Sequence, residues 1–187
     1  MLSGGRLVLG IGVGWNPIEF DALNEDFHNR GKRIEEQIEV MRALWTKKVV
    51  NYQGRWHTIK QAGLNPFPVQ QPIPIWIGGD VYPVLKRVGR MGDAWFPTTS
   101  RADDAKAKVQ VIRESAAEAG RNPDEIDIAV QINLNEVPMS NVADYIRQWQ
   151  ELGASKFYLD TMDCGFDSVA GHLEAFKEYR NITSALA

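Results

Sequence analysis

The residues in this chain best placed to meet a ligand are glycines at the ends of apolar runs. Leu7-Val8-Leu9-Gly10-Ile11-Gly12-Val13-Gly14-Trp15-Asn16 breaks into alternating glycines and closes on an aromatic and an amide. A buried parallel strand reads this way when its carboxyl end must let something approach the backbone closely. A second apolar run, Ile73 to Ile77, ends on Gly78-Gly79-Asp80 ahead of a helix that starts near Pro83. In parallel α/β folds, ligands sit outside the carboxyl ends of the strands. Glycine there bares N–H groups, and a following helix N-terminus adds positive potential, so an anionic group such as a phosphate is favoured. The same glycines can also simply relieve crowding where strand meets helix. Two glycine pairs at two strand ends weigh toward a ligand.

Other chemistry is sparse. Gly10-x-Gly12-x-Gly14 is not the dinucleotide fingerprint G-x-G-x-x-G, because its third glycine comes one residue early. No G-x-x-x-x-G-K-[ST] phosphate loop is present. Trp15, Trp76, Trp95, Thr98 and Thr99 are candidate pocket walls: a flat conjugated ligand packs on aromatic faces and bonds to hydroxyls. Core packing is the competing role for each tryptophan, and the strand register decides between the two. Arg33 and Glu36 stand three apart and can pair across a helical turn as a solvated surface pair. Asp93 reads as a turn residue rather than a general base. His28, His57 and His172 lack metal-ligand spacing, and Cys164 is alone, so neither a disulfide nor a cysteine metal cluster is expected. A sugar-phosphate enzyme also uses strand-end glycines, but no lysine or glutamate stands at a strand end to do its chemistry.

The elements that must position these residues alternate strand with helix, the pattern of βα units and a parallel sheet. Strands are predicted at Leu7–Val13, Ile73–Ile77, Ala94–Phe96, Ile126–Leu134 and Phe157–Leu159. Helices are predicted from about Arg30 to Trp45, Pro83 to Met91, Ser100 to Ala119 and Asn141 to Leu152. Ser100 with Asp103 resembles a capping box, and Asn141 with Asp144 a second helix start. A last helix carries Val169, Leu173, Phe176 and Tyr179 on one face. Between the first helix and second strand, Val49 to His57 reads as a hairpin turning at Gln53-Gly54. Pro66, Pro68, Pro72 and Pro74 then mark an extended connector. Five βα units are too few to close an eight-stranded barrel, which needs about 250 residues, so counting alone favours an open doubly wound sheet.

Size and composition set the class. The chain has 187 residues, 44% apolar and 24% charged, enough for one sizeable core in a single domain over 1–187. A net charge of −3 without a basic stripe argues against nucleic acid. No apolar run approaches the roughly 20 residues of a membrane span, and the N-terminus lacks signal-peptide character. With one cysteine, the expected location is the reducing cytoplasm.

Taken in order, the segments resemble the bacterial luciferase-like monooxygenases, a family that includes deazaflavin (coenzyme F-420)-dependent oxidoreductases. The resemblance is carried by Ser3-Gly4-Gly5-Arg6-Leu7 with Leu9 to Trp15, by Arg30-Gly31-Lys32-Arg33-Ile34-Glu35-Glu36, and by Ala43-Leu44-Trp45-Thr46. It continues through Tyr52-x-Gly54, Pro66-x-Pro68-x-Gln70, Pro74 to Gly79, Gly92-Asp93-Ala94-Trp95 and Ala119-Gly120-Arg121-Asn122-Pro123. It implies a (β/α)8 barrel, of which this chain matches the last five βα units, N-terminally truncated, with the Tyr52–Pro74 excursion as an insert. It also implies FMN or F-420 as cofactor, a small-molecule substrate and a homodimer. By motif position Gly12, Gly14, Trp15 and Asn16 lie along the cofactor, Gly78 and Gly79 offer amides to its phosphate, and Thr98 faces cofactor or substrate. Relatives similar to bacterial luciferase carry an arginine at the first strand end where Val13 or Trp15 stands here, which leans toward the deazaflavin branch. The implied activity is hydride transfer or monooxygenation. The alternative is a truncated paralogue that packs as a partial barrel and catalyses nothing.

Overall fold

A computed structural model of the chain describes residues 2–186. In chain order, strand β1 (Leu9–Ile11) is followed by helices α1 (Pro17–Ala22) and α2 (Arg30–Thr46). The hairpin β2 (Val50–Gln53) and β3 (Thr58–Ala62) comes next, then β4 (Ile75–Gly78), α3 (Tyr82–Met91), β5 (Ala94–Phe96) and α4 (Ala102–Glu118). The chain closes with β6 (Asp127–Asn133), α5 (Val142–Glu151), β7 (Ala154–Asp160) and α6 (Val169–Ser184).

Five strands form one parallel sheet in the order β1-β4-β5-β6-β7, and the hairpin stands apart as a two-stranded antiparallel unit. Sheet order follows chain order without a reversal. Crossovers of one hand that all step the same way leave every helix on one face. A doubly wound sheet needs the order to reverse so that helices cover both faces. The open doubly wound sheet expected from counting is therefore replaced by a singly wound arc of barrel type.

Alternation along the strands sorts the two faces. Ile75, Ile77, Trp95, Ile128 and Val130 point to the helix layer and pack with Ile38 of α2, Val88 of α3, Ile112 of α4 and Trp149 of α5. The opposite face carries Trp76, Ala94, Phe96 and Ala129. Tyr158 joins them, its ring 5.3 Å from that of Trp76 and 6.4 Å from that of Phe96. Helices α3 and α4 approach at Gly89, where an added Cβ would lie 2.5 Å from the Ile112 carbonyl oxygen. Only glycine allows backbones this close.

Local signals hold with instructive exceptions. The first strand is shorter than Leu7–Val13, because glycine and exposure weaken its ends. The hairpin is longer than expected and turns across Gly54–His57, with Gln53 opposite Thr58. Arg101, not Ser100, is the N-cap of α4, and no side chain caps that helix; the Arg101 amide instead donates to Thr99 Oγ1 at 3.4 Å. Asn141 does sit at the start of α5, without a side-chain cap bond. On α6, Val169, Leu173 and Phe176 are exposed, while Ala175 is buried and Tyr179 and Ile182 pack against the cluster of Ile132, Val137, Val142 and Ile146.

Arg33 and Glu36 do not pair with each other. Arg33 bonds to Glu25, and Glu36 turns to the hairpin. Its Oε1 accepts from the amides of Trp56 and His57 at 2.9 and 2.6 Å and lies 2.9 Å from His57 Nδ1, while Oε2 accepts from the Arg55 amide at 2.9 Å. Burial pushes the Glu36 carboxyl up, but these hydrogen bonds outweigh it and hold it below the usual carboxylate range. A depressed carboxyl contributes stability above its unfolded-state pKa and loses it as pH falls through the folded value. The hairpin is therefore expected to loosen as pH falls through the folded-state value of Glu36. Indole resonances of Trp56 followed against pH should report that step, and Glu36→Gln should remove it.

Candidate functional site at the carboxyl ends of β1 and β4

The carboxyl ends of β1, β4 and β5 open onto a cleft of about 670 Å³. Gly12, Gly14, Trp15, Gly78, Gly79 and Thr98 all line it. Segments far apart in sequence thus converge because β1 and β4 are hydrogen-bonded neighbours, with Gly10 opposite Trp76 and Ile11 opposite Ile77. Gly10 and Gly12 face open space: a Cβ added at either would meet nothing within 4 Å. Crowding against the protein does not demand glycine there. Gly14 is different, with φ +74 and Phe20 Cε2 at 3.0 Å from its added Cβ, so this glycine also serves the backbone.

The register settles the tryptophans. Trp76 lies on the inner face and lines the cleft, and Trp15 stands at the rim, 85% exposed. Trp95 points the other way, is 0% exposed in the helix-side core, and donates its indole N–H to the Gly79 carbonyl at 2.9 Å. It is a support behind the site and not a wall of it. Thr99 faces a neighbouring cavity, not the cleft. Asn16 also lies outside the lining. Its Oδ1 accepts from the Ile18 amide at 3.1 Å and its Nδ2 donates to Glu19, which caps α1.

The cleft also holds two charged residues that its sequence signals do not mark as lining. Arg30, at the start of α2, donates Nε–H to the Gly14 carbonyl at 3.2 Å and packs its guanidinium 3.5 Å from the centre of the Phe27 ring. A cation thus reaches the first strand end from the following helix. Asp80 joins the two sides of the site: its Oδ1 accepts from the Thr98 amide at 2.9 Å and its Oδ2 from Lys108 Nζ at 2.8 Å. Burial pushes its carboxyl up, and the Lys108 and Thr98 bonds more than offset this and hold it low. Its place directly after Gly78-Gly79 was the available sequence signal; Lys108 lies 28 residues further on, beyond any local pattern. Asp80→Ala leaves Lys108 and the Thr98 amide unpaired and should cost about 1–3 kcal/mol, read as a lower denaturant midpoint.

Comparison with known proteins decides the family. The model for "Luciferase-like monooxygenase" matches residues 1–158. The chain belongs to this family. An uncharacterized protein of Mycobacterium tuberculosis (strain H37Rv) is 31% identical over 174 residues, covering 92% of this chain and 59% of that protein. An F420-dependent glucose-6-phosphate dehydrogenase of Segniliparus rotundus is 30% identical over 167 residues, covering 83% of this chain and 48% of the relative. The chain spans about half the length of these two relatives. Among solved structures, the EDTA monooxygenase from Chelativorans sp. BNC1 superposes with a TM-score of 0.76 at 15% identity, covering 98% of this chain and 67% of the other. That likeness shows the fold: the singly wound arc is a partial barrel of the luciferase-like type. Among the described residues no helix is long and apolar enough to cross a membrane.

Proposed function

We propose that the cleft binds the phosphate-bearing tail of a flavin-type cofactor, deazaflavin F-420 or FMN, and that the protein serves hydride transfer or monooxygenation on a small organic substrate. Gly10 and Gly12 carry this reading: both line the cleft beside Gly78, and a Cβ added at either would meet no protein atom within 4 Å and would begin to fill the cleft. F420 dependence in the printed name of a relative 30% identical to this chain supports the deazaflavin arm.

The residues fit such a group. Trp76 and Phe96 offer flat apolar surface beside the glycine wall. Arg30 supplies positive charge at the rim, in place of the strand-end arginine that the sequence lacks. The Gly79 amide donates to the Phe96 carbonyl at 3.3 Å. The amides of Asp80, Val81 and Tyr82, at the entrance to α3, have no protein acceptor among the described residues and are free for an anion. Lys108 neutralises Asp80, which keeps that carboxylate from repelling a phosphate. The bound ring supplies the redox chemistry; the chain's part is to grip, orient and keep water from one side of it.

Titration with F-420 and with FMN, followed by ring fluorescence, tests this. Saturable one-to-one binding of either is the expected outcome. A folded, monodisperse protein that binds neither would instead favour a packing module without catalysis.

A further inference from the structure

The cleft shares Phe96 and Thr98 with a second cavity of about 290 Å³, which lies beside it at the carboxyl ends of β5 and β6. Its character differs. The cleft wall is glycine and aromatic, whereas Ser100, Gln131, Asn133 and Glu136 stand around the smaller cavity, with Tyr145 at its edge. We infer that this cavity is the subsite for the substrate's non-reacting end, and that it takes an uncharged, hydroxyl-bearing molecule in preference to a phosphorylated or otherwise anionic one. The inference rests on the cofactor cleft proposed above.

The hydrogen bonds set the preference. Asp160, on the neighbouring strand β7, accepts at Oδ2 from Gln131 Nε2 at 2.6 Å and from Asn133 Nδ2 at 2.9 Å, and at Oδ1 from the Met162 amide at 2.8 Å. These bonds engage both amide groups as donors, an assignment made by the network itself. Asn133 Oδ1 is taken by the Asn135 amide at 2.8 Å. Gln131 Oε1 and the Glu136 carboxylate are left as acceptors without a protein partner among the described residues. No lysine or arginine lines the cavity. An acceptor-rich site of negative charge suits O–H donors and disfavours a phosphate. The Thr99 and Ser100 hydroxyls supply donors for a substrate oxygen.

A matched pair of probes tests this: glucose and glucose 6-phosphate, the same skeleton without and with the charge. Binding of each to the F-420-loaded protein is read by saturation-transfer NMR, after a fluorescence titration has established loading. Glucose should bind at least about tenfold more tightly than its phosphate. Glu136→Lys, at an exposed position that leaves the fold alone, should reverse the order, and Gln131→Leu should weaken glucose without restoring the phosphate. Tighter binding of the phosphate to the wild type, or binding of neither probe to the loaded protein, would overturn the subsite while leaving the cofactor cleft standing. Failure to load F-420 or FMN at the first step would overturn the cleft itself, and the subsite with it.

Discussion

Gly12→Val is expected to leave stability nearly unchanged and to weaken cofactor binding by about 10- to 100-fold. The position has ordinary backbone geometry, and an added Cβ meets no protein atom within 4 Å, so the folded chain bears no clash. The new methyls instead occupy cleft volume that a ligand needs. Overpacking of this kind costs about 1–3 kcal/mol, and each 1.4 kcal/mol is tenfold in affinity. Equal denaturation midpoints together with a large loss in fluorescence titration are the expected pair of results. Gly14 gives no such clean experiment, because its φ of +74 and its contact with Phe20 make any substitution there strain the backbone as well.

Trp95→Ala should have the opposite signature, a loss of stability of about 3–5 kcal/mol. The side chain is fully buried, with its ring 6.4 Å from that of Trp149 in the layer between sheet and helices. Its removal leaves a cavity where α4, α5 and β5 meet, and strips the Gly79 carbonyl of its donor. Against a total stability of about 5–15 kcal/mol, that is a large fraction. Guanidinium unfolding should show a much lower midpoint. Trp95→Phe separates the two roles: it restores most of the packing and not the bond to Gly79, so stability should recover further than cofactor affinity.

How much of this is legible in the sequence depends on the range of the interaction. Helix α2 was expected from Arg30 to Trp45 and spans Arg30–Thr46, and β5 covers the expected Ala94–Phe96, because apolar spacing and flanking breakers are local signals. The strand-end glycines were legible for the same reason: a glycine at the end of an apolar run stands out without any partner. The directions of Trp76 and Trp95 were not, since both faces of a covered parallel strand are apolar and the period-two rule has nothing polar to anchor it. Long-range polar bonds were invisible. Glu36 was read as a partner for Arg33, three residues away, whereas its ligands are the backbone of a hairpin about 20 residues on. Asp80 to Lys108, Asp160 to Gln131 and Arg30 to Gly14 are of the same kind. The α6 stripe of Val169, Leu173 and Phe176 shows the converse failure: helical periodicity locates an apolar face and does not say what covers it.

The proposed cofactor site lies at one location, the carboxyl ends of β1 and β4. Backbone amide shifts in a 15N-labelled sample of this 187-residue chain, followed during titration with F-420 and with FMN, test it most directly. Saturable shifts are expected at Gly10, Gly12, Val81 and Tyr82, the strand-end wall and the entrance to α3, with Gly120 and Gly165 unmoved. Saturable binding that instead shifts residues remote from β1 and α3, or no binding of either compound by the folded chain, would contradict it.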